Sequence, residues 1–296
     1  MPLTNAECRR RALLAADWFV NTQLVQEKPR WDANHGRVVY NYHMPTGIRV
    51  HGLSWSQGRA IMCLAGAWQA TGRQAYLDAA VRCGDYLRYA LQSHDRRNPR
   101  AFGSLREEVP TSRFCYPRDG IEGAFGLLLL YVMTGDRDYR DCCELFAQWY
   151  IGHAYVPADG WVRGRVGFDD DQDKVGYSYI QAGGAPFFWH LHQITGDKRL
   201  LRDGLFVLAD GLLERFIDRD SGAMLSPTLD RHHAIEQDGK TLAINDDGAS
   251  IALTCAHVAG GRKKSKYLDA ARAYADWIVD RCPRPIPLFA ATGMHA

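Results

Sequence analysis

Along this chain, charge-free stretches alternate with amphipathic ones, and each change of pattern falls at a glycine. The charge-free stretches cover 60–72, 123–135, 175–196 and 249–261 and are rich in Ala, Gly, Leu and aromatics. Their amphipathic successors begin GRQAYLDAA at Gly72, GDRDYRDCC at Gly135, GDKRLLRDG at Gly196 and GRKKSKYLDAA at Gly261. The aspartates they share, Asp78, Asp141, Asp203 and Asp269, recur at intervals of 63, 62 and 66 residues. This is a helical-hairpin repeat. A helix without charges must be covered on every side, whereas one charged along a single face belongs at the outside. The pattern therefore predicts an all-α fold of inner and outer antiparallel helices closed into a ring, an (α/α) toroid filling one domain over 1–296. Residues 5–23 read as a further outer helix. The pattern yields about nine helices where six hairpins need about twelve, so the ring is incomplete, closed by helices the pattern hides, or continued beyond Ala296.

The segments entering the inner helices are long: 27–53, 92–119, 152–174 and 217–248. Loops of this length usually carry function, and all four enter from the N-terminal side of an inner helix, which places them at one end of the ring. Alternating runs at 37–43, with Pro45, Thr46 and Gly47 behind them, and at 160–168 predict two small β-hairpins in these rim loops.

Composition narrows the partners. With 36 Lys+Arg against 34 Asp+Glu the formal charge is +2, too balanced for a broad nucleic-acid or anionic-membrane footprint. The longest strongly apolar run, 124–133, is about half a bilayer span, and the first residues lack a signal-peptide core. The eight cysteines show no C-x-x-C spacing, so neither a zinc knuckle nor a disulfide lattice is written here. These features predict a cytoplasmic protein with reduced thiols, no metal and no cofactor, acting on a small or oligomeric substrate.

Chemistry concentrates at the inner-helix entrances. The second reads Tyr116-Pro117-Arg118-Asp119-Gly120-Ile121-Glu122-Gly123, with Asp119 and Glu122 on one side of the first turn. A carboxylate there suits an N-cap, and equally a general acid or base at a cavity floor. The fourth entrance, Asn245-Asp246-Asp247-Gly248, repeats the arrangement, so Asp247 or Asp246 could face Asp119 across a glycosidic bond. The first carries His51, Trp55, Gln57 and Arg59. Trp55 and Arg59, at i and i+4, would project together as a stacking platform and a carboxylate clamp. Arg113 and Arg118 are further candidates for an anionic substrate, and Tyr116, Trp161, Tyr177 and Tyr179 could line the cavity; packing is the structural alternative for each.

The acidic run Asp169-Asp170-Asp171-Gln172-Asp173 imitates the opening of an EF-hand loop, but Lys174 and Ile180 stand where Gly and Glu are required. It also matches the D-D-x-x-D spacing of a magnesium-diphosphate site, without a second metal motif. A solvated loop leading into the third inner helix accounts for it better. His190 and His192, at i and i+2, cannot share a metal from one helix face. His232 and His233 lie in the loop before Asp246, and Cys255 with His257 is too sparse a pair for zinc. No nucleophile elbow, Walker loop or dinucleotide fingerprint is present.

The succession of charge-free helix, Thr-Gly-Asp turn and Y-L-D-A-A helix resembles the six-hairpin glycosidases, among them glycoside hydrolase families 88 and 105. In those families an aspartate heading an inner helix protonates a 4,5-unsaturated uronyl double bond and assists water addition. Asp119 within PRDGIEGAFGLLLLYVMTGD resembles that aspartate. The families' second aspartate, at the preceding inner-helix entrance, has no counterpart among His51 to Arg59. The resemblance thus implies a glycoside hydrolase acting on uronic-acid oligosaccharides through Asp119 with Asp246 or Asp247. The segment WSQGRA is also similar to the inner helix of N-acylglucosamine 2-epimerases. An epimerase or polysaccharide lyase on the same ring would instead work through His51, Tyr116, Tyr177 or His232. A non-catalytic helical-repeat binding protein, its acids merely capping helices, is a third reading.

Overall fold

The computed structural model describes residues 4–25, 34–156, 160–169, 173–174, 178–226, 234–243, 249–261 and 265–280. These carry α1 (Asn5–Thr22), α2 (Ser54–Thr71), α3 (Gln74–Asp85), α4 (Pro117–Thr134), α5 (Arg137–Trp149), α6 (Ser178–Thr195), α7 (Phe206–Gly211), α8 (Ala249–Gly260) and α9 (Ser265–Asp280). The charge-free stretches fall on α2, α4, α6 and α8, as the repeat predicts, and the N-terminal turns of α2 and α4, which precede those stretches, carry Arg59 and Arg118, Asp119 and Glu122. Outer α3 and α5 run on as π-helical turns, Tyr86–Leu91 and Tyr150–Ala154, and α7 is flanked by two more, Leu200–Leu205 and Leu212–Phe216.

The glycine that ends each charge-free helix is left-handed: φ is 71° at Gly72, 73° at Gly135, 73° at Gly196 and 65° at Gly261. An L side chain is strained there, which is why the repeat breaks at glycine. At three of the four, the threonine before the glycine completes the turn. Thr71, Thr134 and Thr195 each donate a hydroxyl hydrogen bond to the carbonyl four residues back, at 2.6, 2.7 and 2.9 Å. The same oxygens accept from the amides of Arg73, Asp136 and Asp197 two residues on. A Thr-Gly pair thus closes one helix and aims the next.

The described residues form two compact units. In the first, α2 packs along α4, and the two backbones meet at glycines. A Cβ on Gly58 would lie 2.0 Å from the Glu122 carbonyl oxygen, and one on Gly126 would lie 2.8 Å from the Gly58 Cα. Around this crossing Ile61, Leu64, Leu87, Leu127 and Phe146 are buried. Outer α1 is fastened to α3 through Asp17, which accepts from Tyr76 Oη at 2.8 Å and Arg73 Nη1 at 3.0 Å. In the second unit α6 packs on α8 and on the Leu200–Leu205 turn, where a Cβ on Gly204 would lie 2.6 Å from the buried Phe188 ring.

Among the described residues eight short strands pair antiparallel: β1 (Val39–His43) with β2 (Ile48–His51), β3 (Phe114–Cys115) with β6 (Val166–Gly167), β4 (Tyr155–Val156) with β5 (Trp161–Val162), and β7 (Ala234–Gln237) with β8 (Lys240–Ala243). All of them fall within the four entering segments. The β1–β2 hairpin is the one the alternation at 37–43 predicts. The run 160–168 is not the hairpin its alternation predicts: Trp161–Val162 pairs backward with Tyr155–Val156, and Val166–Gly167 pairs with Phe114–Cys115. Alternation marks extended backbone, and the partner is fixed by tertiary structure.

Candidate active site

The α4 entrance is built by three segments of the first unit. Pro117 occupies the first turn, where its missing N–H costs nothing, and the helix starts at Tyr116 without a side-chain cap. Asp119 in that turn therefore does not serve the N-cap role. Its carboxylate is 17% exposed and takes Arg118 Nη1 at 3.2 Å. The α2–α4 glycine crossing brings Arg59 to Glu122, whose two oxygens accept from Nε at 2.5 Å and Nη2 at 3.0 Å. Arg118 Nη2 also reaches Glu122, at 3.4 Å.

The third contributor carries no sequence signal that singles it out. Glu107, in the segment between α3 and α4, is 3% exposed. Its backbone is pinned at both ends: the carbonyl accepts from Ser54 N at 2.8 Å, tying it to the start of α2, and the amide donates to Phe114 O at 3.3 Å, tying it to β3. The side chain hydrogen-bonds the Asp119 carboxyl. Two carboxyl groups can bond only through a shared proton. Burial, the Asp119 charge and this bond push Glu107 up to about 9, so it is the donor and Asp119 the acceptor. Asp119 is also raised, first by burial; Arg118 and the Glu107 bond pull the other way. The Ser54 hydroxyl stands beside Glu107 and favours its ionised form, yet neither Ser54 Oγ nor Glu107 Oε2 makes a hydrogen bond of good geometry.

The remaining candidates sort by what they touch. Trp55 and Arg59 do project together, with the guanidinium 5.2 Å from the ring, and Tyr40 of β1 meets Trp55 edge-on at 5.5 Å. The three arginines predicted to receive a substrate carboxylate hold protein carboxylates instead: Arg59 holds Glu122, Arg118 holds Glu122 and Asp119, and Arg113 pairs with Asp169. Gln57, predicted to touch substrate, is fully buried with Nε2 3.4 Å from Gly52 O. Apart from Arg59, α2 is uncharged, so its pattern does not reveal which side faces its neighbour and misplaces this polar residue. His51 bonds the Thr22 backbone, and burial with Arg37 and Arg49 lowers its pKa, keeping it neutral. Tyr116 packs on Phe114 at 5.2 Å. Trp161 lies in β5 of the second unit, half-buried. Asp246, Asp247 and Tyr177 fall outside the described residues, as does the side chain of Tyr179 in α6.

Elsewhere, Asp173 pairs with Arg163 at 2.9 Å, and His192 Nδ1 lies 2.9 Å from the Asp197 carbonyl. A groove of about 490 Å³ between α5 and the 94–102 loop is lined by His94, Arg96, Phe102, Asp141, Glu144 and Leu145, and contains none of the predicted site residues. Its acids sit on the exposed side of α5 against Arg140. Perturbed carboxyl groups, rather than volume, distinguish the α4 entrance.

No protein-family model matches this chain, and no curated protein does. Solved structures do. A cellobiose 2-epimerase from Bacillus thermoamylovorans aligns with a TM-score of 0.66 at 12% identity over 90% of this chain and 70% of its own. A family 76 glycoside hydrolase, a mannosidase, from Bacteroides thetaiotaomicron aligns at 0.66 and 16% over 91% and 71%. An unsaturated glucuronyl hydrolase with dGlcA-Glc-Rha-Glc aligns at 0.61 and 14% over 91% and 67%. The fold shared with these structures is of the (α/α) toroid type. At these identities the likeness is one of fold, and the chemistry rests on this chain's own residues. Among the described residues no helix is long and apolar enough to cross a membrane, and the seven cysteines are free.

Proposed function

We propose that this chain is a carbohydrate-active enzyme, a glycoside hydrolase in which Asp119 is the group that exchanges a proton with the glycosidic oxygen. The observation that carries this reading is the Glu107–Asp119 carboxyl pair at the head of an inner helix, holding a proton where exposed carboxyls have lost it. Hydrolases, an epimerase and an oligosaccharide complex among the structural neighbours agree with a sugar substrate. In the reaction, the proton held by the Glu107–Asp119 pair passes through Asp119 to the leaving oxygen while water adds its hydroxyl to the anomeric carbon and returns a proton to the pair. Asp246 and Asp247, from the fourth entrance, are the proposed second acids.

Charge decides the substrate class. With Glu107 protonated, the carboxylates of Asp119 and Glu122 balance the guanidiniums of Arg59 and Arg118, leaving no surplus positive charge for a uronate. We therefore favour a neutral oligosaccharide over the uronic-acid substrate implied by resemblance. The epimerase reading is weaker because His51, its candidate base, is committed to the Thr22 backbone.

A mass-spectrometric screen of neutral, saturated-uronyl and 4,5-unsaturated-uronyl oligosaccharides tests all three. Chain cleavage with gain of water, lost in Asp119→Asn, supports hydrolysis. Unchanged mass with altered chromatography, retained in Asp119→Asn and lost in His51→Ala, means epimerisation. Cleavage without water gain means elimination.

A further inference from the structure

We propose that Glu107 is a positioning residue for Asp119: it stays protonated in the resting protein, donates its carboxyl hydrogen to Asp119, and so makes the two groups a one-proton unit. Its catalytic half rests on the hydrolase reading above; its structural half does not.

Three observations place it there. Glu107 is buried at 3% exposure, and its backbone is fixed to α2 through Ser54 N and to β3 through Phe114 O, so the side chain cannot retreat to water. Its Oε2 has no hydrogen-bond partner of good geometry, which an ionised carboxylate at that depth would need. The charges facing it are of the wrong sign to neutralise it. Asp119 faces it from α4 and Glu108 from its own segment, while Ser54 of α2 and Cys115 of β3 bring a hydroxyl and a thiol. The cations nearby, Arg118 and Arg59, face Asp119 and Glu122 instead.

The proton accounting is closed. The one proton of the pair, resting on Glu107, shifts along their hydrogen bond to Asp119 as Asp119 passes a proton to the leaving oxygen, so that both carboxyls are left ionised. That state is costly, and it is discharged when the water whose hydroxyl has bonded to the anomeric carbon delivers its remaining proton to the pair. Two protons are never needed, and no co-reactant other than water enters.

The test is the melting temperature of the whole chain as a function of pH, for wild type, Glu107→Gln and Asp119→Asn. A carboxyl held protonated in the folded state and ionised in the unfolded one makes stability fall as pH rises between its two titration points, here from ordinary glutamate values toward about 9. Glu107→Gln keeps a neutral donor and removes the titration. From pH 5 to 9 the wild-type Tm should therefore fall by about 3 °C or more relative to Glu107→Gln. Parallel curves overturn the proposal. If Glu107→Gln fails to fold, Asp119→Asn substitutes: removing the facing charge should flatten the wild-type slope, and an unchanged slope overturns the pairing. On a cleaved oligosaccharide, Glu107→Gln should lower kcat at least about 10-fold with KM unchanged and shift the pH–rate profile, since a fixed amide donor can hold Asp119 but not re-protonate it. A Tm difference without a kcat effect removes the catalytic half alone. A wild type that cleaves no oligosaccharide sinks the hydrolase reading and leaves the pair to be judged by Tm.

Discussion

The α2–α4 pair of the first unit and the α6–α8 pair of the second are written in the same repeat and end in the same left-handed glycine, with the threonine turn at α2, α4 and α6, yet they approach their neighbours differently. At α2–α4 backbone meets backbone, Gly58 against the Glu122 carbonyl and Gly126 against Gly58, and side chains at the helix starts are drawn into a charge network. In the second unit the close contact is between a backbone and an aromatic ring, Gly204 against Phe188, and Pro186 sits within α6. The repeat specifies hairpins; local departures from it specify chemistry. Where glycines let two inner helices nearly touch, residues 63 apart in sequence, Arg59 and Glu122, become ion-pair partners, and the acids of the α4 entrance are gathered beside them.

Asp119→Asn is the largest test of that asymmetry. If the first unit's entrance is the reacting centre, turnover falls by about 10²- to 10⁴-fold while the circular dichroism spectrum stays near wild type, because Asp119 neither caps α4 nor closes its core. A loss below about 10-fold would place the chemistry elsewhere.

The two glycine contacts should differ in cost. In Gly58→Ala the new methyl meets backbone 2.0 Å away, which cannot move without separating α2 from α4, so a loss of about 3 kcal/mol is expected in urea denaturation. In Gly204→Ala the obstacle is the Phe188 ring at 2.6 Å, which can tilt, and about 1–2 kcal/mol is expected. Gly58→Ala should also weaken the Arg59–Glu122 pair, whereas Gly204→Ala should leave any catalytic activity intact. Equal losses would erase the distinction between the two packings.

By contrast the turn glycines should be alike. Gly135 and Gly196 share a φ of 73° with nothing within 4 Å of a would-be Cβ, so the whole cost of alanine is the left-handed backbone. About 1 kcal/mol is expected at each, in either unit.

What could be read from the chain follows from which forces act locally. Charge-free helices, left-handed glycines and the β1–β2 hairpin are consequences of residues within a few positions of one another, and periodicity reports them. The placing of Asp119 at an inner-helix head followed from the same repeat. Glu107 did not, because Glu107-Glu108 in an aperiodic segment looks like two solvated acids; only the backbone ties to Ser54 and Phe114 select which one is buried. The arginines misled for a related reason: a sequence displays a cation without displaying its partner, and Arg113 finds Asp169 56 residues away. The run 160–168 showed extended backbone truthfully and its pairing falsely. The π-helical turns that end α3 and α5 carry no periodic signature at all.

The smallest effect isolates what makes Gly58 special. Gly66 lies on the same helix eight residues later, is exposed, and would bring a Cβ within 4 Å of nothing. A glycine inside a helix loses more backbone entropy on folding than alanine, so with no contact to spoil, Gly66→Ala should stabilise the protein by about 0.5–1 kcal/mol. Both substitutions add the same methyl to α2 and relieve the same entropy; their difference in sign measures the helix approach alone. Should Gly66→Ala also destabilise, that face of α2 is covered by something beyond the described residues, and the asymmetry between the α2–α4 crossing and the rest of the helix would have to be redrawn.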